Sequence, residues 1–247
     1  MWRALRTTSP PRPSGSGSAD HSGLQPVLDA VADGGVQALP DVGAELTTYL
    51  ESLAGVEPDS LGRSEALAYW VNLYNGHALA LAARTQAAGE SSVLRDSQEF
   101  HGPTATIAGE ELSLDDIEHG KVRRLKDPRI HGALVCGSVS CPTLRSKPFD
   151  GSAIEDQLEE QMQAFMTAGA VVIDEKNNRI SLSRIFYWYG ADFVRPHRMP
   201  SWLPPRRRHL QSAIEPWLPP EAVQWLASNR PRLAFQRYDF RLACSVA

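Results

Sequence analysis

Residues 64–84 read SEALAYWVNLYNGHALALAAR, and this stretch decides the fold class. Leu67, Trp70, Val71, Tyr74, Ala78 and Leu81 recur at steps of three and four, the period of an α-helix that turns one face to a core. Ser64 is a suitable N-cap residue. The spacing therefore predicts a long helix over 64–84 with one broad buried face. Asn72 and Asn75 lie three apart on it, beside Trp70 and Tyr74. Asn is a poor residue for a helix interior. Either the carboxamides tie adjacent loops by buried hydrogen bonds, or they orient a catalytic histidine or bind substrate.

On the N-terminal side, Glu45–Leu53 reads as a short helix ahead of the turn-rich Gly55–Gly62. On the other side, Ser113-Leu-Asp-Asp116 resembles a capping box and opens another short helix, with acids Asp115 and Asp116 first and bases Lys121, Arg123 and Arg124 last. Asp127-Pro128 breaks that pattern, and Ile130–Cys136 reads as a short buried strand. Ser152-Ala-Ile-Glu155 is a second capping box, before a helix that Gly169 should stop. Val171–Asp174 and Arg179–Ser183 flank the turn Lys176-Asn-Asn178 as a hairpin, Arg184–Phe193 reads as an aromatic helix, and Leu233–Tyr238 as a last strand. The expectation is α/β in the α+β sense: one globular domain over 27–247, helix-rich, with a small mixed or antiparallel sheet.

The 247 residues are 42% hydrophobic and 22% charged, an ordinary globular mixture. A net charge of −4 gives no general reason to expect nucleic acid or an anionic membrane as partner. No apolar run approaches the length of a membrane span. Three cysteines, an odd number, argue against a disulfide scaffold and for a reducing compartment, so the expected location is cytoplasmic. Residues 1–26 read as a disordered tail: Met1–Ser22 is rich in Pro, Ser and Gly, and it carries Arg3, Arg6 and Arg12 with no acid before Asp20. That composition is shared by organelle transit peptides, although Pro10, Pro11 and Pro13 spoil an amphipathic helix. The basic cluster Arg206, Arg207, Arg208 and His209 beside Trp202 supports no more than a solvated surface.

The chemistry concentrates between His119 and Cys141. Cys141 follows the loop Gly137-Ser-Val-Ser140 and precedes Pro142, which would place it at the cap of a helical turn. Unpaired N–H groups there favour the thiolate, which is the nucleophile. His119 and His131 are the local candidates for a base, and Glu118 is the carboxylate beside His119. If 130–136 is a regular strand, His131 and Cys136 point to opposite faces, and Cys136 is a small buried hydrophobe. Cys136, Cys141, His119 and His131 would also make up a Cys₂His₂ set for zinc. The run Phe186-Tyr-Trp-Tyr189 reads as core packing. There is no P-loop, dinucleotide fingerprint, GxSxG elbow or HExxH, and no cofactor is expected.

Four ordered motifs resemble the family catalogued as domain of unknown function 547, found in bacteria and plants. They are Ala68-Tyr-Trp-Val-Asn-Leu-Tyr-Asn75, Leu112-Ser-Leu-Asp-Asp-Ile-Glu-His-Gly120, Asp127-Pro-Arg-Ile-His-Gly-Ala-Leu-Val-Cys-Gly-Ser-Val-Ser-Cys-Pro142 and Leu182-Ser-Arg-Ile-Phe-Tyr-Trp-Tyr189. The likeness runs from about Val42 to Ala243, and the family pattern includes both histidines. Near the end, Tyr238-Asp-Phe-Arg-Leu242 departs from that pattern, with Phe240 in place of Trp and Ala243 in place of Asn. In plants the domain follows a coiled-coil segment of leucine-zipper or ternary-complex-factor type, and elsewhere it accompanies glutaredoxin-like domains. Neither is read in this chain.

The reading that follows is a thiol-dependent enzyme with Cys141 as nucleophile or redox thiol, His119 or His131 as base, and Glu118, Asn72 or Asn75 orienting it. Acyl or amide transfer is the natural reaction class, on an unidentified small molecule or protein. The alternatives are a non-catalytic interaction domain and a structural zinc site.

Overall fold

A computed structural model describes residues 1–93, 100–201 and 203–246, so Trp202 lies outside the described residues. The chain runs through α1 (Trp2–Thr7), α2 (Gln25–Gly34) and α3 (Gly43–Ala54) into the long α4 (Arg63–Ala87). Gly62, not Ser64, is the N-cap of α4. Every residue from Ala66 to Gly76 is buried, so this helix is enclosed on all sides rather than on one face. Leu24, Val31, Leu46, Leu53, Ile117, Ile130 and Leu158 share the first apolar core with it.

The first capping box forms as read. Ser113 N–H donates to Asp116 Oδ2 at 3.1 Å, and Asp116 N–H donates to Ser113 Oγ at 3.1 Å. The helix it opens widens at once into a π-turn over Asp116–Lys121, a form that recurs at functional sites. The second box does not form. Ala153 is the N-cap of α5 (Ile154–Phe165), because Asp150 already accepts from the Ser152 N–H and hydroxyl. Gly169 ends that helical run as expected, at φ +109°.

Two sheets complete the fold. β1 (Ala105–Ile107) and β2 (Glu110–Leu112) form an antiparallel hairpin, with Ala108 and Gly109 both at positive φ, as a two-residue turn of that hand requires. β3 (Val171–Asp174) pairs antiparallel with β4 (Arg179–Leu182), and β5 (Arg232–Phe235) pairs parallel with β4. Helices α6 (Arg184–Val194), α7 (Arg207–Ile214) and α8 (Pro220–Ser228) fall between β4 and β5. Phe165, Ile180, Phe186, Phe193, Leu210 and Leu233 make a second core. The architecture is the helix-rich α+β domain the sequence suggests. Among the described residues no helix is long and apolar enough to cross a membrane.

Ile130–Cys136 is not a strand. Asp127 caps a 3₁₀ turn over Pro128–Gly132 by accepting from Arg129 N–H at 2.9 Å, with Pro128 at its first position. The backbone that follows pairs with a side chain instead of a neighbouring strand. Asn75 Nδ2 donates to Ala133 O at 3.0 Å, and Val135 N–H donates to Asn75 Oδ1 at 2.9 Å. The alternation argument that set His131 against Cys136 therefore lapses.

Where composition suggests a disordered 1–26, the segment lies against the domain. Ala4 is fully buried, Arg3 Nη2 donates to Asp116 Oδ2 at 3.0 Å, and Lys121 Nζ donates to Ser9 O at 2.8 Å. Gly15 and Gly17 N–H groups bond to the carbonyls of Leu61 and Ser60. Polar partners order a stretch that has few apolar residues to bury.

His21, in this segment, is 8% exposed. Its Nδ1 is 2.9 Å from Tyr49 Oη, and its Nε2 is buried with no partner among the described residues. Burial pushes the ring down to about 4, against a weaker pull from Asp20 and Asp150. Between that value and the ordinary ~6.5 the unfolded ring binds a proton that the folded ring does not. Stability is thus intact above pH ~6.5 and falls on acidification, by up to about 3 kcal/mol from this ring. Urea unfolding at neutral pH and near pH ~4.5 should show a smaller acid loss for His21→Phe than for the native chain. Equal losses would remove the assignment.

Candidate functional site

A cavity of about 430 Å³ holds most of the candidate residues. Cys141, Cys136, His119, His131 and Glu118 all line it. Asn72 and Asn75 do not. Asn72 clasps the Phe149 peptide, donating to its carbonyl at 2.7 Å and accepting from its N–H at 3.0 Å. Asn75 clasps the backbone ahead of Cys136, donating to Ala133 O and accepting from Val135 N–H. Both carboxamides bond buried backbone in the segments they face.

No helix begins at Pro142, so no helix N-terminus acts on Cys141. Other donors take that part. Cys136 N–H donates to Cys141 Sγ at 3.1 Å, Tyr238 Oη lies 3.1 Å from the same sulfur, and Cys136 Sγ is 2.7 Å away. Burial alone would raise the Cys141 thiol, but these bonds outweigh it and bring it down to about 7. Cys136 moves the opposite way, well above the usual thiol range, because its hydrogen bond to Cys141 and its burial both favour the neutral form. Cys136 thus lines the cavity as a neutral thiol in hydrogen-bond contact with Cys141. Neither imidazole is a hydrogen-bond partner of Cys141. Both rings share its cavity without touching its sulfur.

The two histidines are tied into a buried network. His131 Nε2 is 2.9 Å from Asp192 Oδ2, and the ring stacks on Tyr189 with centroids 4.2 Å apart. Asp192 is fully buried and also accepts from Arg123 Nε at 2.8 Å and from Ser201 N–H at 2.9 Å. Burial pushes its carboxyl up, yet His131 and Arg123 hold it down at about 2. Burial, more than Asp192 can offset, lowers His131. Arg123 Nη1 reaches His119 Nδ1 at 3.0 Å. A guanidinium only donates, so Nδ1 accepts and the ring proton lies on Nε2, 3.3 Å from Asp115 Oδ1. Glu118 Oε2 accepts from Tyr74 Oη at 3.4 Å.

The aromatic run divides. Phe186 is core, whereas Trp188 and Tyr189 line the cavity with Phe100, Ile185 and Phe240. Asp115 and Glu118 bring carboxylates to the lining, and among the described residues no Lys or Arg lines it. Among the described residues no three His, Cys, Asp or Glu side chains are arranged to hold a metal ion. The four donors of the zinc reading therefore do not converge.

Sequence reasoning missed Tyr238, Asp192 and Arg123. The signal for Asp192 is a carboxylate on an otherwise apolar helix, beside Ala191 and Phe193, which must be paired to be buried. Nothing local distinguishes the Tyr238 hydroxyl.

Fold and site together define a helix-rich α+β domain built around a two-cysteine cavity. Residues 58–166 match the model of the family described as "Protein of unknown function, DUF547", so this part of the chain is similar to that family. No curated protein and no solved structure matches it. The matched segment includes Cys136, Cys141 and both histidines, while Trp188, Tyr189, Asp192 and Tyr238 lie beyond it.

Proposed function

We propose that this domain is a thiol-dependent enzyme in which Cys141 Sγ attacks a small molecule held in the aromatic cavity. The observation that carries the reading is the placement of one cavity-lining sulfur against the Cys136 N–H and the Tyr238 hydroxyl. A thiol near 7 is about half thiolate at neutral pH without a dedicated base. In acyl transfer the thiolate forms a C–S bond to the carbonyl carbon, and the leaving group departs with its electron pair. His131, braced by Asp192, is the ring assigned to activating water for release of the acyl group.

A second reading, dithiol–disulfide redox chemistry, is favoured by the 2.7 Å between the two sulfurs. Peroxide as oxidant would convert the Cys141 thiolate to a sulfenic acid with release of hydroxide, and attack by the Cys136 thiol would expel water and close the disulfide.

The test is the pH dependence of iodoacetamide labelling at Cys141, read by peptide mass spectrometry. The expected midpoint is about 7. Tyr238→Phe should raise it by roughly one unit, the worth of one hydrogen bond to a charged group. A native midpoint near the ordinary ~8.5, unmoved by Tyr238→Phe, would leave a non-catalytic domain.

A further inference from the structure

Cys141 and Tyr238 line two hollows, not one. Besides the large cavity they border a second cleft of about 150 Å³, formed with Ser140, Thr143, Ser183, Arg184, Gln236 and Arg237. The two hollows carry opposite charge. Among the described residues the large cavity has Asp115 and Glu118 and no Lys or Arg in its lining, whereas the cleft has Arg184 and Arg237 and no acid.

The polar groups of the cleft differ in how they are occupied. Ser140 Oγ accepts from Asp239 N–H, Ser183 Oγ accepts from Ile185 N–H, and Gln236 Nε2 donates to Gly169 O. Among the described residues neither Arg184 nor Arg237 has a hydrogen-bond or ion-pair partner. Arg184 only stacks over the Tyr187 ring, at 4.3 Å. Two arginines with no counter-ion among the described residues thus line one small hollow that Cys141 also lines, and guanidinium suits carboxylate, sulfonate and phosphate.

We propose that the cleft is the subsite for an anionic departing group, so that the substrate of Cys141 has an apolar acyl body in the aromatic cavity and a carboxylate, sulfonate or phosphate on its leaving side. This rests on the reading of Cys141 as the attacking thiol. The thiolate pair forms the C–S bond, and the bond to the leaving group breaks with its electrons going to that group. The group leaves through the cleft, taking a proton from water. A second water then hydrolyses the thioester, returning the thiol and the free acid.

The test uses two thiol reagents of one chemistry: neutral methyl methanethiosulfonate and anionic 2-sulfonatoethyl methanethiosulfonate. Each forms a mixed disulfide with Cys141 and releases methanesulfinate. The rate ratio of anionic to neutral reagent, normalised to 2-mercaptoethanol, should fall about tenfold in Arg184→Gln/Arg237→Gln, as expected for loss of two nearby charges. In the native chain the ratio should fall with added salt, and in the double variant it should not. Arg184→Lys/Arg237→Lys keeps the charge and should hold the ratio within about twofold, which separates charge from packing. Fast neutral labelling with an unchanged ratio in the glutamine variant overturns the cleft and spares the reactive thiol. Neutral labelling of Cys141 no faster than that of buried Cys244 overturns both.

Discussion

Arg123→Met should lower the unfolding free energy by about 3–5 kcal/mol, the range found when one partner of a buried ion pair is removed. Arg123 is 1% exposed and Asp192 is fully buried. The guanidinium reaches Asp192 Oδ2 through both Nε and Nη2 at 2.8 Å, and it also donates to the Ser201 carbonyl. Its removal leaves a carboxylate in apolar surroundings with one imidazole and one N–H for company. Thermal melts should show the loss as a drop of very roughly 6–20 °C for a domain of this size. Arg123→Met/Asp192→Leu should recover much of it, because no buried charge is then left unpaired. A single variant within about 1 kcal/mol of the native chain would mean that the pair is solvated in solution.

The second large effect is expected at Asn75. Asn75→Ala strips the partners from Ala133 O and Val135 N–H, two buried backbone groups, at a cost of about 1–3 kcal/mol each. The change reaches the site as well, since the clasped segment leads directly into Cys136, whose N–H donates to Cys141 Sγ. The labelling midpoint of Cys141 should therefore rise above about 7 in this variant. Urea unfolding measures the first effect and iodoacetamide kinetics the second. A stable variant with unchanged labelling would show that the carboxamide positions nothing.

The same asparagine explains where the sequence could and could not be read. Helices α3, α4 and α6, the hairpin β3–β4 and the capping box at Ser113 are local patterns, and each appears within a few residues of its reading. The segment 130–136 has the composition of a buried strand, but its hydrogen bonds go to a side chain sixty residues upstream. No local period records that. The candidate site divides in the same way. Cys141, His119, His131 and Glu118 sit close together in sequence and meet in one cavity. Tyr238 and Asp192, which contact the thiol and one imidazole, are 97 and 61 positions from their partners. Only the folded chain brings them together.

After β5 the chain turns back across the loop that bears both cysteines. Val139 N–H donates to Arg241 O, Ala243 N–H to Gly137 O and Leu144 N–H to Ser245 O. A ribosome delivers a polypeptide from its N-terminal end. The stretch through residue 166 can be out and folding while the hydroxyl destined for Cys141 has yet to be translated. A nascent chain thus lacks the Tyr238 hydrogen bond to Cys141 until 97 further residues have been added, and a chain cut short before Tyr238 carries both cysteines without it.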